Sequence, residues 1–166
     1  MEVHSAGEGQ GSEFIVRLPV TLARPQLPAP VPPVDPVARS LRLLVVDDNV
    51  DAAESAAMLL RIAGHQVHLA HTGPNALEAA LGYHPDVVLL DIGLPEMNGY
   101  EVASRLRQHA ESRDMALIAV SGYGHESDRD RSEQAGFDHY MVKPIDWPKL
   151  EELLATVSAG GGRVTR

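Results

Sequence analysis

The sequence predicts an α/β fold: a five-stranded parallel sheet with helices on both faces. Three observations lead there. From Leu41 onward, short apolar runs alternate five times with helix-length segments. The run Val87, Val88, Leu89, Leu90 is apolar at every residue, as in a strand buried on both faces. The polar residues that break the pattern fall where the apolar runs end, and open α/β sheets carry their chemistry beyond the carboxyl ends of their strands.

Two pieces precede this pattern. Residues 1–20, MEVHSAGEGQGSEFIVRLPV, read as two short strands around a Gly-rich turn. A lone hairpin is marginal in water, so this piece reads as the edge of something larger. Residues 21–40 hold Pro25, Pro28, Pro30, Pro32, Pro33 and Pro36 and read as an extended, semi-rigid linker.

The repeating unit covers residues 41–157. LRLLVV is the first strand and ends at Asp47 and Asp48. A helix follows, with Ala53, Ala56, Leu60 and Ala63 on one face, Asn49 or Asp51 as its cap and Gly64 at its end. HQVHLA is the second strand. Thr72 caps the next helix, which carries Leu77, Ala80 and Leu81, with Pro74 early where proline is tolerated. DVVLLD is the third strand, and a helix with Val102, Leu106 and Ala110 comes after its loop. MALIAVSG is the fourth strand. The segment around 126–135 has helical length but no apolar stripe beyond Ala135, so it is held weakly. HYMVK is the fifth strand. The last helix opens at Asp146 and places Leu150, Leu153, Leu154 and Val157 on one face. Residues 158–166 read as a flexible tail.

Composition removes several function classes. The chain has no cysteine, which excludes disulfides, thiolate metal sites and thiol nucleophiles. A formal net charge of −9 with no basic stripe argues against nucleic acid as a partner. No apolar stretch is long enough to span a membrane, and the N-terminus lacks the pattern of a signal peptide, so a cytoplasmic location is expected. His65, His68 and His71 do not form a metal site: neighbours three apart on a strand face opposite ways.

The chemistry gathers on one edge. Asp47 and Asp48 end strand one, Asp91 ends strand three, Ser121 ends strand four and Lys143 ends strand five. If strand one lies beside strand three, the three carboxylates meet, with Ser121 and Lys143 on the other side of Asp91. Such crowding calls for cations. Lys143 is one, and oxygen ligands with few carboxylates suit Mg²⁺ for the rest. A carboxylate can attack phosphorus to form an acyl phosphate. Phosphoryl transfer needs in-line positioning and neutralised equatorial oxygens, for which Mg²⁺, Lys143 and the Ser121 hydroxyl are placed. Asp91 is thus expected to accept a phosphoryl group.

The motifs VVDDN, LLDIGLPEMNG, VSGYG and MVKP, in this order, resemble the receiver domain of two-component response regulators. The resemblance implies a flavodoxin-like fold with strand order 2-1-3-4-5, for which receivers are a standing example. It implies that Asp91 is the phosphorylated aspartate and that Asp48 holds Mg²⁺ directly. Asp47 would act mainly through water, and the Gly93 carbonyl would complete the protein's share. Ser121 is the implied switch hydroxyl, Lys143 the phosphoryl contact with a cis bond to Pro144, and Tyr140 the aromatic that turns inward. Gly93 and Tyr123 stand where the family tunes its dephosphorylation rate.

The N-terminal piece resembles the last hairpin of a histidine-kinase ATP-binding domain. The chain then reads as the C-terminal end of a hybrid histidine kinase, with membrane attachment of the parent kinase open. The asparagine and glycine boxes that hold ATP in such kinases are absent, so this chain is not a complete kinase. No DNA-reading domain is expected to follow the last helix. Expected partners are a histidine kinase or a histidine phosphotransfer protein, with homodimerisation open. Two rivals remain: a haloacid-dehalogenase-like aspartyl phosphatase and a receiver-like module that is not phosphorylated. The first needs a second carboxylate two residues after the nucleophile, where this chain has Gly93.

Overall fold

The computed structural model describes residues 2–5, 7, 9–17, 39–122 and 126–160. The chain divides into two compact units, Met1–Asp35 and Pro36–Arg166. In the first, strands β1 (Glu2–Ser5) and β2 (Ser12–Ile15) form the hairpin read from the sequence. They pair antiparallel, and Val3 stands opposite Phe14. Both of these side chains are exposed, as is Val16. Most of the proline-rich segment and Tyr123 lie outside the described residues.

The second unit runs β3 (Arg42–Val46), α1 (Val50–Ile62), β4 (Gln66–Ala70), α2 (Gly73–Tyr83), β5 (Val87–Asp91) and α3 (Gly99–Gln108). A 3-10 turn (Ala110–Ser112), β6 (Ala116–Ser121), α4 (Glu126–Ala135), β7 (His139–Val142) and α5 (Trp147–Gly160) complete it. The five strands are parallel, in the order β4-β3-β5-β6-β7. Counted within this unit, that is the expected 2-1-3-4-5.

The helices begin where polar caps allow. Asn49, rather than Asp51, caps α1 by accepting from the Ala52 N–H at 3.0 Å. Asp51 sits in the first turn, where a negative charge meets the positive end of the helix dipole. Thr72 caps α2 through the Asn75 N–H, and Asn98 caps α3 through the Glu101 N–H. Two small corrections concern helix ends. Ala63 is the C-cap of α1 and exposed, and Ala110 is exposed in the 3-10 turn, because both helices stop before those residues can reach the core.

The period of two along the strands sorts the core into two layers. Leu43, Val45, Val87, Leu89, Ile118 and Val120 pack with α1 and α5. Leu44, Val46, Val88, Leu90, Leu117 and Ala119 pack with α2 and α3. β5 lies in the middle of the sheet and is buried at all its residues, which explains its unbroken apolar run. Each fully buried Leu or Val contributes about 1.5–3 kcal/mol. α4 has little part in either layer, as its lack of an apolar stripe predicts. It is tied by the Arg131 guanidinium 4.5 Å over the Tyr100 ring and by contacts with α3 and β7.

Candidate functional site

The same period of two directs the polar residues at the strand ends. Asp47 follows Val45 by two, Asp91 follows Leu89 and Lys143 follows Met141, and all three of those apolar residues lie in the α1/α5 layer. The two carboxylates and the ammonium are thereby sent to one side of the sheet edge. Lys143 Nζ donates to Asp47 Oδ2 and to Asp91 Oδ2, both at 2.7 Å. The expectation that Lys143 lies beyond Asp91 holds for its strand but not for its side chain. The ammonium reaches past the end of β5 to Asp47, on the far neighbour β3.

Backbone groups fix the remaining oxygens. Asp47 Oδ1 accepts from the Asn49 N–H at 2.9 Å, and Asp91 Oδ1 accepts from the Gly93 N–H at 2.8 Å. Asp47 and Asp91 are buried, whereas Asp48 is exposed. Asp47, Asp48 and Asp91 each offer one oxygen, and these oxygens lie within 4.8 Å of one another. Like unit charges at that range cost about 3–4 kcal/mol per pair at an effective dielectric of about 20. One ammonium leaves two of the three negative charges uncompensated. Burial by itself would lower the Lys143 pKa, but the hydrogen bonds and charges of Asp47 and Asp91 more than offset it and raise the value overall. The oxygen-only, acidic donor set fits a hard divalent ion that keeps several waters.

Ser121 and Tyr140 belong to the other layer. Ser121 is buried and continues the row of Leu117 and Ala119, while Tyr140 is half-buried against the α2/α3 core. The strand ends are stitched by the Lys143 N–H, which donates to the Ser121 carbonyl at 2.7 Å. The Lys143–Pro144 bond is cis, as the resemblance implies. A Cβ at Gly93 would stand 3.4 Å from Asp91 Oδ1, so glycine leaves the approach to that carboxylate open.

Two residues of the site escaped the sequence reading. Gly99, the first residue of α3, lies so close to β5 that a Cβ there would meet the Asp91 carbonyl oxygen at 2.5 Å. His71 has its Nδ1 2.9 Å from the Asp47 carbonyl oxygen. Of the strand ends, only that of β4 contributes neither a carboxylate, a hydroxyl nor an amine to the expected set. The available signal was its place: His71 sits at the carboxyl end of the strand beside β3, next to the α2 cap.

Beside the acidic corner runs a mostly apolar groove between α1 and the segment after β7, lined by Ala52, Ala56, Leu59, Pro144, Ile145 and Trp147. Met58 and Ile62 are exposed on the same helix, α1. Trp147 packs against the α1/α5 core.

The fold and the acidic edge define a phosphorelay-type receiver, and the family model for the response regulator receiver domain matches residues 43–155. This chain belongs to that family. It is 37% identical over 155 residues to the sensor histidine kinase AtsR of Burkholderia thailandensis, a match covering 89% of this chain and 25% of AtsR. The chain thus spans about a quarter of that relative. It is 33% identical to the polar-differentiation response regulator DivK of Brucella ovis, over 68% of this chain and 91% of DivK. Among solved structures, it is similar to the receiver domain of the sensor histidine kinase PA1611 from Pseudomonas aeruginosa. That structure has a magnesium ion coordinated in its active-site cleft. The TM-score is 0.67 at 27% identity, covering 74% of this chain and all of the other. Neither the phosphatase reading nor the unphosphorylated module is favoured beside these matches. Among the described residues no helix is long and apolar enough to cross a membrane.

Proposed function

We propose that this chain accepts a phosphoryl group from a phosphohistidine onto Asp91. The observation that carries the reading is the corner where three carboxylates lie within 4.8 Å of one another and a single lysine bridges two of them. In the transfer, an Asp91 carboxylate oxygen forms a bond to phosphorus as the phosphorus–nitrogen bond breaks. The released electron pair stays on the imidazole, which takes up a proton. The product is an acyl phosphate on Asp91. Asp47, Asp48 and Asp91, with the Gly93 carbonyl, would hold Mg²⁺. When bound, that ion supplies neutralising charge for the phosphoryl oxygens. Lys143 leaves Asp47 and neutralises another oxygen, and Ser121 donates its hydroxyl to a third. As Ser121 is drawn towards the phosphoryl group, Tyr140, in the same layer, turns inward and shifts the lightly held α4. The partner that carries the phosphohistidine, a histidine kinase or a histidine phosphotransfer protein, docks along the apolar groove beside α1.

We further infer that residues 1–20 are the last hairpin of a kinase ATP-binding domain and that residues 21–40 link it to the receiver that begins at 41; the expected end at 157, with a tail from 158, falls short, because α5 runs on to Gly160. The parent protein is then a hybrid histidine kinase, with this part in the cytoplasm. Supporting this, the likeness to AtsR covers more of the chain than the receiver alone supplies. The exposed Val3, Phe14 and Val16 suit a hairpin that belongs to a larger sheet. Intact-mass measurement after acetyl phosphate and Mg²⁺ tests the central reading. One added phosphoryl group is expected, absent in Asp91→Asn and absent when Mg²⁺ is chelated. Equal labelling of Asp91→Asn would overturn it.

A further inference from the structure

The geometry points to His71 as a positioning residue that sets the orientation of the peptide between Asp47 and Asp48. This inference rests on the reading of those two carboxylates as holders of a divalent ion. His71 Nδ1 lies 2.9 Å from the Asp47 carbonyl oxygen. A carbonyl only accepts, so Nδ1 carries the proton whatever the state of the other ring nitrogen. That carbonyl belongs to the peptide that joins the two aspartates.

The turn has few other restraints at this point. The Asp47 N–H donates to the Ala70 carbonyl at 3.2 Å, closing the pairing of β3 with β4. The Asp47 side chain is held by the Asn49 N–H and by Lys143. Asp48 is exposed, and among the described residues no hydrogen bond or ion pair holds its carboxylate. The direction of the Asp48 side chain therefore depends on its backbone, and His71 grips the peptide that precedes it. His71 is itself half-buried, so its ring is not loose in solvent. Two residues further on, Gly73 presses against the loop that follows Asp91: a Cβ at Gly73 would lie 2.8 Å from Met97 Cβ. The short segment 71–73 thus braces both loops that bring acidic groups to the corner. A site held to a fraction of an ångström binds its ion without first ordering its ligands.

The test is calorimetric titration of the full chain with Mg²⁺ alone, in native, His71→Leu and His71→Asn forms. Leucine keeps bulk without a donor, and the asparagine amide nitrogen stands near the place of Nδ1. Groups that orient metal ligands typically matter at the level of ten- to a hundredfold in affinity. We therefore expect H71L to weaken Mg²⁺ binding about tenfold and H71N to stay within about twofold of native. Hydrogen exchange at the Asp48 N–H, which belongs to the same peptide, should quicken in H71L and not in H71N. Native-like Mg²⁺ affinity in H71L, or a loss that H71N shares in full, would overturn the inference. A native chain that does not bind Mg²⁺ would overturn the reading of the acidic corner, and this inference with it.

Discussion

Among the described residues, two charge clusters built around buried carboxylates stand at opposite edges of one sheet, on different terms. At the amino edge, Arg107 Nη2 meets Asp138 Oδ2 at 2.6 Å. The rest of that guanidinium donates to the carbonyls of Gly136, Ser112 and Met115, and Asp138 also accepts the Leu117 N–H at 2.8 Å. One positive charge faces one negative charge, and the hydrogen bonds tie α3, the 3-10 turn, β6 and β7 together. At the carboxyl edge, three carboxylates share one ammonium. The first cluster is closed and holds the fold. The second is deficient in positive charge and open on the side of exposed Asp48. Burial alone does not distinguish the two clusters; the charge balance and the remaining access do.

The largest expected effect breaks the closed cluster. Asp138→Ala leaves the Arg107 charge buried without its partner, and urea unfolding should show a loss of about 3–5 kcal/mol. A loss under about 1 kcal/mol would deny it a structural role.

Next comes Gly99→Ala, which sets a methyl against the Asp91 carbonyl. It should cost about 1–3 kcal/mol by overpacking, and it should also lower the rate of phosphoryl uptake because Asp91 is displaced.

A smaller effect sharpens the contrast at the open corner. Lys143 is partly exposed, so Lys143→Met should cost only about 1 kcal/mol without Mg²⁺. The pH dependence has a definite sign. A lysine whose pKa is raised by folding adds stability that is fully present below its ordinary value of 10.5 and is lost as pH rises through the raised value. The native protein should therefore lose stability above that pH more steeply than Lys143→Met, as pH-dependent unfolding curves would reveal.

Asp91→Asn should have the smallest effect. It removes a charge that Lys143 attracts and that Asp47 and Asp48 repel, so without Mg²⁺ stability should stay within about 0.5 kcal/mol of native or rise. A clear loss would give Asp91 a structural part like that of Asp138.

Much of this was legible from residue order. The unbroken Val87–Leu90 run fixed the central strand, and the positions of Asp47, Asp48, Asp91, Ser121 and Lys143 placed these polar groups on one edge. The parity of the strands also sorts the polar residues by layer. Counting back by twos from Lys143 and Asp47 puts both with the α1/α5 layer, and Ser121 with the other. The reach of Lys143 past β5 was available that way. His71 and Gly99 were not. One acts through a ring bonded to a backbone carbonyl on a neighbouring strand, and the other through the absence of a side chain at a helix start. Neither leaves a mark in hydrophobic periodicity. The Arg107–Asp138 pair was equally silent, since a buried arginine and an exposed one look alike in sequence until the turn at Gly136 folds over it.

The most direct test of the charge deficit is urea unfolding as a function of Mg²⁺ concentration, on the native chain and on the double variant Asp47→Asn, Asp91→Asn. If the open corner is completed by the ion, native stability should rise by about 1.4 kcal/mol for each tenfold increase in Mg²⁺ above the dissociation constant, and the double variant should stay flat. A native chain that gains nothing from Mg²⁺, or a double variant that gains as much, would contradict the account.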